Sequence, residues 1–164
     1  MREAIFEFFE PLGAQLAVFI TSMLPIIELR GGIPFGAALG LPLWQAYMFG
    51  VLGNLLPVPF ILLFVKKVFA FMRKYDRSRR LVERFEARFA RRAEKMKKVT
   101  FVTLMLFVSI PLPITGAWTG SGIAALFEVP FKNAMLAITL GVLIAGSIVS
   151  AIAYGFLSVL SVLI

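Results

Sequence analysis

The chain contains no cysteine and no histidine. Disulfides, a thiol nucleophile, an imidazole general base and thiolate or imidazole metal ligands are therefore excluded. Most metalloenzyme and catalytic-triad chemistry depends on one of these groups. We therefore expect a protein that is not an enzyme and that holds no metal or other cofactor.

Charge is absent from four long stretches of the chain, which cover residues 11–27, 31–65, 99–127 and 133–164. Apolar residues make up 60% of the 164 residues, against roughly 45 to 50% in soluble domains. A helix needs about 20 apolar residues to cross a hydrocarbon core of ~30 Å. The composition predicts an all-α integral membrane protein.

Basic residues are concentrated between residues 66 and 98, where 14 Lys or Arg stand against four acidic residues. By the positive-inside rule this segment is cytoplasmic, so we expect a multi-pass protein of the cell inner (plasma) membrane. Apolar residues recur there at helical spacing, which predicts a basic amphipathic helix over about 78–98. They are Leu81, Val82, Phe85, Phe89, Ala93 and Met96. This helix is either a solvated connector or an interfacial helix that attracts anionic lipid headgroups.

An internal repeat becomes visible when residues 24–53 are aligned with 112–141, at an offset of 88. Nine of the thirty aligned positions are identical, among them Pro25 with Pro113 and Gly53 with Gly141. Composition alone would give about two or three identities in so apolar a stretch. The chain is therefore predicted to contain two copies of one structural unit.

Each predicted unit contains two short apolar arms around a Pro/Gly-broken centre, followed by one long apolar segment. Repeat 1 covers 1–65, with a re-entrant helical hairpin over about 12–41 and a transmembrane helix over about 43–65. Repeat 2 covers 99–164, with a hairpin over about 99–128 and a transmembrane helix over about 132–164. None of the arms reaches 20 residues, which favours re-entrant hairpins over the alternative of four full crossings, whereas the long segments are long enough to cross. The basic helix of residues 66–98 joins the repeats.

The number of crossings predicts the relative orientation of the copies. A hairpin contributes no crossing and the long helix contributes one, so the two repeats are inverted relative to each other. Inverted repeats with broken helices that meet near the membrane midplane are typical of transporters. With residues 66–98 cytoplasmic, Lys132 also lies on the cytoplasmic side and the acidic N-terminus lies outside, in agreement with the charge rule.

The two broken centres are the candidate binding site. Irregular backbone at membrane depth is tolerated where it is buried in protein or lines a wet cavity, so we expect both centres to face one shared cavity. Prolines break the helices there, and glycines permit tight turns with exposed amides. The breakers are Pro25, Pro34, Pro111 and Pro113, and the candidate ligand-binding residues are Glu28, Arg30, Gly31, Gly32, Thr115, Gly116, Trp118 and Thr119.

Arg30 and Glu28 are the charged residues of the first centre. The arginine side chain offers a permanently charged, forked donor that suits phosphate or carboxylate, while a buried glutamic acid suits a proton carrier. The alternative is a structural ion pair that merely closes the hairpin. In the second centre, the hydroxyls either face the cavity or satisfy the local backbone. Asn54, on the first long helix, either joins the cavity or bridges helices.

Two motifs resemble a known family. The pattern P-x-x-E-x-R-G-x-I-P runs from Pro25 to Pro34, and P-L-P-x-T-G-A-W-T-G runs from Pro111 to Gly120. Together they resemble the small multidrug export protein family of bacteria and archaea, which is similar in plan to the DedA/VTT (SNARE-associated) membrane proteins. That resemblance implies two opposed re-entrant hairpins and lipid transport, with Glu28 and Arg30 as the acidic and basic hairpin residues.

We therefore expect a DedA-like membrane transporter, a flippase that moves an anionic phospholipid or polyprenyl phosphate across the bilayer, with proton coupling as an option. One alternative is a small multidrug exporter that binds cationic compounds through Glu28, with Arg30 as its counter-ion. A second alternative is a non-transporting membrane scaffold. The expected partners are membrane lipids and a second copy of the chain, because two crossings are few for a transporter. No nucleic-acid partner is expected.

Overall fold

The computed structural model describes residues 2–72, 74, 76–94, 99–112 and 115–163. Within these ranges every regular element is an α-helix, as the sequence predicts. The eight helices are α1 (Arg2–Met23), α2 (Glu28–Ala38), α3 (Leu43–Leu55), α4 (Pro57–Met72), α5 (Asp76–Glu94), α6 (Phe101–Ser109), α7 (Ala117–Leu126) and α8 (Phe131–Leu163).

In the part of the chain that the structure describes, two segments are long and apolar enough to cross a membrane, Leu43–Val65 and Phe131–Phe156. They coincide with the long segments that the sequence singles out. The first is divided, because α3 ends at Leu55 and α4 begins at Pro57. A proline lacks the amide that would continue the helical hydrogen bonds and restricts the residue before it.

The chain forms two compact units. The first unit contains Met1–Leu56 and Val142–Ile164, and the second contains Pro57–Gly141. These units follow contacts rather than sequence similarity, so they differ from the repeats predicted at 1–65 and 99–164. The inverted orientation of those repeats and the re-entrant course of the hairpins stay predictions.

The unusual backbone conformations recur at the offset of 88 residues. Glu28 and Gly116 have φ of 52° and 144°, and Gly40 and Glu128 have φ of 78° and 57°. The hydrogen bonds that close the short helices recur as well: the amide of residue 41 donates to the carbonyl of residue 36, and that of residue 129 donates to residue 124, each at 3.0 Å. The aligned segments therefore share local backbone geometry as well as identical residues.

Close helix contacts in the first unit depend on glycine. A side chain at Gly53 would collide with the backbone carbonyl of Phe19, so α1 and α3 touch almost backbone to backbone. Gly36 likewise lies against Val18 and Ala46, both fully buried. Small residues at helix crossings allow close van der Waals packing, which drives helix association in lipid, where the hydrophobic effect does not.

The second unit uses the aligned glycine in the same way. Gly141 of α8 packs on the side chain of Val108 and on the carbonyl of Met105, both in α6. Gly53 and Gly141 are an identical pair of the repeat, so each copy places its long apolar segment against its first arm through the same position. Dispersion contacts at this distance are lost when a methyl group separates the helices.

The basic amphipathic helix differs from its predicted bounds. It begins at Asp76 rather than at residue 78 and is described as far as Glu94, whereas residues 95–98 and the side chains of residues 93 and 96 lie outside the described part. Val82 is fully buried, and the ring of Phe89 packs on Gly122 of α7. Thus α5 docks on α7 with part of its apolar face, while Leu81 and Phe85 remain exposed.

The substitution Gly53→Ala should destabilise the protein, because the added methyl group overlaps backbone that cannot rotate away. Overpacking of this kind costs about 1 to 3 kcal/mol. The matched control is Gly13→Ala in α1, where the methyl group meets nothing within 4 Å and helix propensity favours alanine. Thermal unfolding in detergent should show a lower Tm for Gly53→Ala only. Equal Tm values for the two variants would contradict the close packing.

Candidate functional site

The first broken centre is shorter than predicted. The break lies at residues 24–27, after α1 ends at Met23, and it contains Pro25. The amide of Glu28 donates to the carbonyl of Leu24 at 2.9 Å, and α2 then begins at Glu28 itself. The helix thus restarts within one turn.

The expected glycine turn after Arg30 is wrong. Gly31, Gly32 and Pro34 all lie inside α2. The glycines serve packing instead: a side chain at Gly32 would collide with the hydroxyl of Ser22, and one at Gly31 would collide with Ile27. Pro34 is tolerated within the helix at the loss of one intrahelical hydrogen bond, the one that its missing amide would donate to the carbonyl of Arg30.

Glu28 and Arg30 lie together at the start of α2. The carboxylate of Glu28 is nearly sealed off, with 5% of the residue exposed, whereas Arg30 is half-buried. The two charges interact electrostatically, and the N-terminus of a helix adds a favourable field for the carboxylate. The pair therefore presents its cation, rather than its anion, to the surroundings.

Further polar side chains lie inside the first unit. Ser22, Asn54 and Ser150 are each at most 2% exposed. Among the described residues, the Ser22 and Ser150 hydroxyls and the Asn54 side-chain carbonyl find no hydrogen-bond partner in the protein. Burial without a partner costs roughly 1 to 3 kcal/mol per group. Sequence reasoning missed both serines, because a single serine within an apolar helix gives no pattern to detect.

The hydroxyls of the second centre mostly satisfy the local backbone. That of Thr115 lies 3.0 Å from the carbonyl of Ile110 and 2.8 Å from that of Leu112, and that of Ser121 donates to Ala117 at 2.6 Å. Pro111 follows α6 in the break, as predicted. Pro113 lies outside the described residues.

Gly116 sets the start of α7. Its φ of 144° and ψ of −166° belong to a region that only glycine adopts without strain. Its carbonyl accepts the first helical hydrogen bond, from the amide of Gly120 at 2.7 Å. Trp118 and Thr119 follow in the first turn and are partly exposed.

Trp118 lines an apolar pocket of about 340 Å³ in the second unit. The other walls are side chains of α4 and α5, including Phe64, Phe85 and Phe89. The sequence did not predict that the basic helix meets the second centre. The contact could have been predicted from the helical spacing of Phe85 and Phe89 and from Gly122, because aromatic side chains pack closely on a helix surface that carries a small residue.

The first unit has a pocket of a different character. It has a volume of about 400 Å³ and lies between α3 and α8. Its walls are Leu43, Trp44, Tyr47, Ser147, Ser150 and Ala151. Tyr47 and Ser147 both donate to the carbonyl of Leu143, at 3.2 and 3.0 Å, whereas the Ser150 hydroxyl is the group noted above without a protein partner. The pocket combines aromatic walls with one buried hydroxyl that has no hydrogen-bond partner among the described residues.

The structure brings together the candidates within each centre. Glu28, Arg30, Gly31 and Gly32 belong to the first unit, and Thr115, Gly116, Trp118 and Thr119 belong to the second. A cavity shared by the two centres stays a prediction. Among the described residues no cluster of acidic, His or Cys side chains could hold a metal ion.

The chain matches a family model over most of its length. The model of the family described as "Putative small multi-drug export protein" matches residues 28–148. The match includes both motif segments from Glu28 onward. No curated protein and no solved structure matches the chain, and the similarity in plan to the DedA/VTT proteins stays a prediction.

The substitution Gly116→Ala should weaken the start of α7, since the backbone there is strained for any residue with a side chain, by about 1 to 3 kcal/mol. Gly155→Ala in α8 is the control, because its methyl group meets nothing within 4 Å. Thermal unfolding should separate the two variants. If Gly116→Ala has the same Tm as the wild type, the backbone conformation assigned to Gly116 is wrong.

Proposed function

Because the chain belongs to the small multi-drug export protein family, we propose that it is a membrane exporter whose substrate is an amphipathic anion, such as a phospholipid or a polyprenyl phosphate. The family match and the two membrane-length helices support export through a membrane. The nature of the substrate is the part that we infer from the site.

One observation supports the proposal of an anionic substrate: Arg30 is the more exposed member of the Glu28–Arg30 pair. A cationic substrate would need to reach Glu28, of which only 5% is exposed. An anionic headgroup needs to reach Arg30, whose guanidinium offers forked donors that match phosphate geometry. Glu28 then holds and neutralises the arginine between transport events.

The pair also favours a role in transport over a role in stability. An ion pair in apolar surroundings loses more hydration energy than its attraction returns unless the geometry is very good. Ionisable groups at membrane depth are therefore most often part of a substrate or proton pathway. Glu28 can take up a proton when the substrate binds Arg30, which would couple export to pH.

The substitution Arg30→Ala should abolish flux of a labelled polyprenyl phosphate in proteoliposomes. The loss of one charge-assisted hydrogen bond, at about 1.5 to 3 kcal/mol, corresponds to a roughly tenfold to hundredfold weaker headgroup affinity. Glu28→Gln should retain binding and alter the pH dependence of flux. If Glu28→Gln alone removed binding, the substrate would be cationic instead.

A matched control exists on the surface of α5. Arg79 and Glu83 form an exposed ion pair with an N–O distance of 3.0 Å. The variants Arg79→Ala and Glu83→Gln remove the same side-chain groups outside the apolar interior. They should leave flux unchanged, because exposed pairs contribute about 0 to 1 kcal/mol.

A second candidate function is the export of small aromatic cations, which is favoured by the pocket between α3 and α8. Trp44 and Tyr47 can attract a lipophilic cation over their ring faces, and the Ser150 hydroxyl can hydrogen-bond to a polar group of the same molecule. This site is separate from the Glu28–Arg30 pair and does not require Glu28 to be accessible.

If the second function applies, Trp44→Leu and Ser150→Ala should each reduce efflux of a lipophilic cationic dye from proteoliposomes several-fold. The cation–π and hydrogen-bond contributions are each about 1 kcal/mol. Ile152→Ala is the control, since Ile152 is 64% exposed on the same helix and does not line the pocket. Unchanged dye efflux in both pocket variants would remove this candidate.

A further inference from the structure

The apolar groove of the second unit lies beside the most basic element of the chain. Its walls come from three helices: α4 contributes Phe60, Phe64 and Val68, α5 contributes Phe85 and Phe89, and α7 contributes Trp118. Every lining side chain is apolar or aromatic. Phe60, Phe64 and Phe85 are at least 40% exposed, so the groove is open rather than sealed.

The groove has a cation at its rim. The Lys67 ammonium lies 5.8 Å from the ring centroid of Phe64, over the ring face. Exposed Arg84 and Arg88 flank Phe85 and Phe89 in the sequence of α5. An occupant of this groove therefore meets apolar walls and a positively charged edge.

The position of the rim matches the headgroup level of a membrane. The membrane-length segment ends at Val65, and Lys67 and Val68 follow it directly on α4, which continues to Met72. Lysines just beyond a membrane helix reach the interface with their charged ends. The apolar groove thus extends from hydrocarbon depth to the cation.

We propose that this groove binds one acyl chain of an anionic phospholipid of the surrounding bilayer, with the headgroup phosphate at Lys67. The acyl chain fills the open space between Phe85 and Phe89 of α5 and the walls from α4 and α7. The bound lipid thereby holds α5 against these two helices. Basic segments at the cytoplasmic surface attract anionic lipids in general. The groove adds a fixed place for the chain, and the proposal does not depend on which substrate is exported.

The sequence offers a direct probe of occupancy, since it contains only two tryptophans, Trp44 and Trp118. In the variant Trp44→Phe, fluorescence arises from Trp118 in the groove wall. In Trp118→Phe it arises from Trp44, which is 60% exposed in the first unit. Lipids with brominated acyl chains quench a tryptophan that they touch.

The experiment titrates each single-tryptophan variant in bilayers that contain brominated phosphatidylglycerol or brominated phosphatidylcholine. Trp118 should reach half-quenching at a mole fraction of phosphatidylglycerol at least fivefold below that of phosphatidylcholine. Trp44 should respond equally to both lipids. Adding Lys67→Gln should remove the preference at Trp118, while adding Arg79→Gln, which also removes one positive charge but from α5 instead of α4, should retain it.

Three outcomes would overturn the proposal. Equal quenching of Trp118 by both lipids would show that the groove has no anionic occupant. An equal preference at Trp44 would show a general surface-charge effect. A preference that survives Lys67→Gln would show that the headgroup does not lie at Lys67. Melting curves of the four variants confirm that each is folded before the titration.

Discussion

Backbone amides and carbonyls in apolar surroundings must find partners within the protein, and the two broken helices follow from this constraint. In the first break the chain restarts within one turn, because the amide of Glu28 returns to the carbonyl of Leu24. In the second break a side chain assists, because the Thr115 hydroxyl lies within hydrogen-bond distance of two carbonyls. Both short helices then end with the same pair of cap hydrogen bonds, although the residue with positive φ is Gly40 in one and Glu128 in the other. The shared geometry is thus maintained by hydrogen bonds rather than by residue identity.

Within this frame, glycine and charge have separate roles. Gly53 and Gly141 let a helix approach the backbone or side chains of its neighbour closely, which increases dispersion contacts. These contacts matter because helices surrounded by lipid gain no hydrophobic free energy when they associate. Glu28 and Arg30 are charged instead, and burial of charged groups costs free energy that their mutual attraction does not always offset. We propose that the pair is retained at the start of the restarted helix for binding and transport. Family membership supports this explanation.

The sequence predicted the all-helical fold and the two long apolar segments, because hydrophobic length is a property of the chain itself. The local backbone geometry also recurs at the offset of 88 residues. Sequence reasoning failed at Gly31, Gly32 and Pro34, which it assigned to a turn. Glycine and proline weaken a helix locally, but the packing of Gly32 on Ser22 outweighs this preference. It also missed the contact of Phe89 with Gly122 and the buried Ser150, since neither tertiary packing nor a lone hydroxyl leaves a periodic signal. The shared cavity and the inverted orientation of the copies remain predictions from the repeat.

The central claim is that Glu28 and Arg30 are retained for transport and not for stability. The most direct measurement compares the wild type with the double variant Glu28→Gln, Arg30→Met, in which both charges are removed at similar volume. Replacement of a buried ion pair by neutral groups is often neutral or stabilising. The account therefore predicts an unchanged or higher Tm together with loss of polyprenyl phosphate flux in proteoliposomes. A lower Tm with full flux per folded molecule would contradict it and would make the pair a structural element.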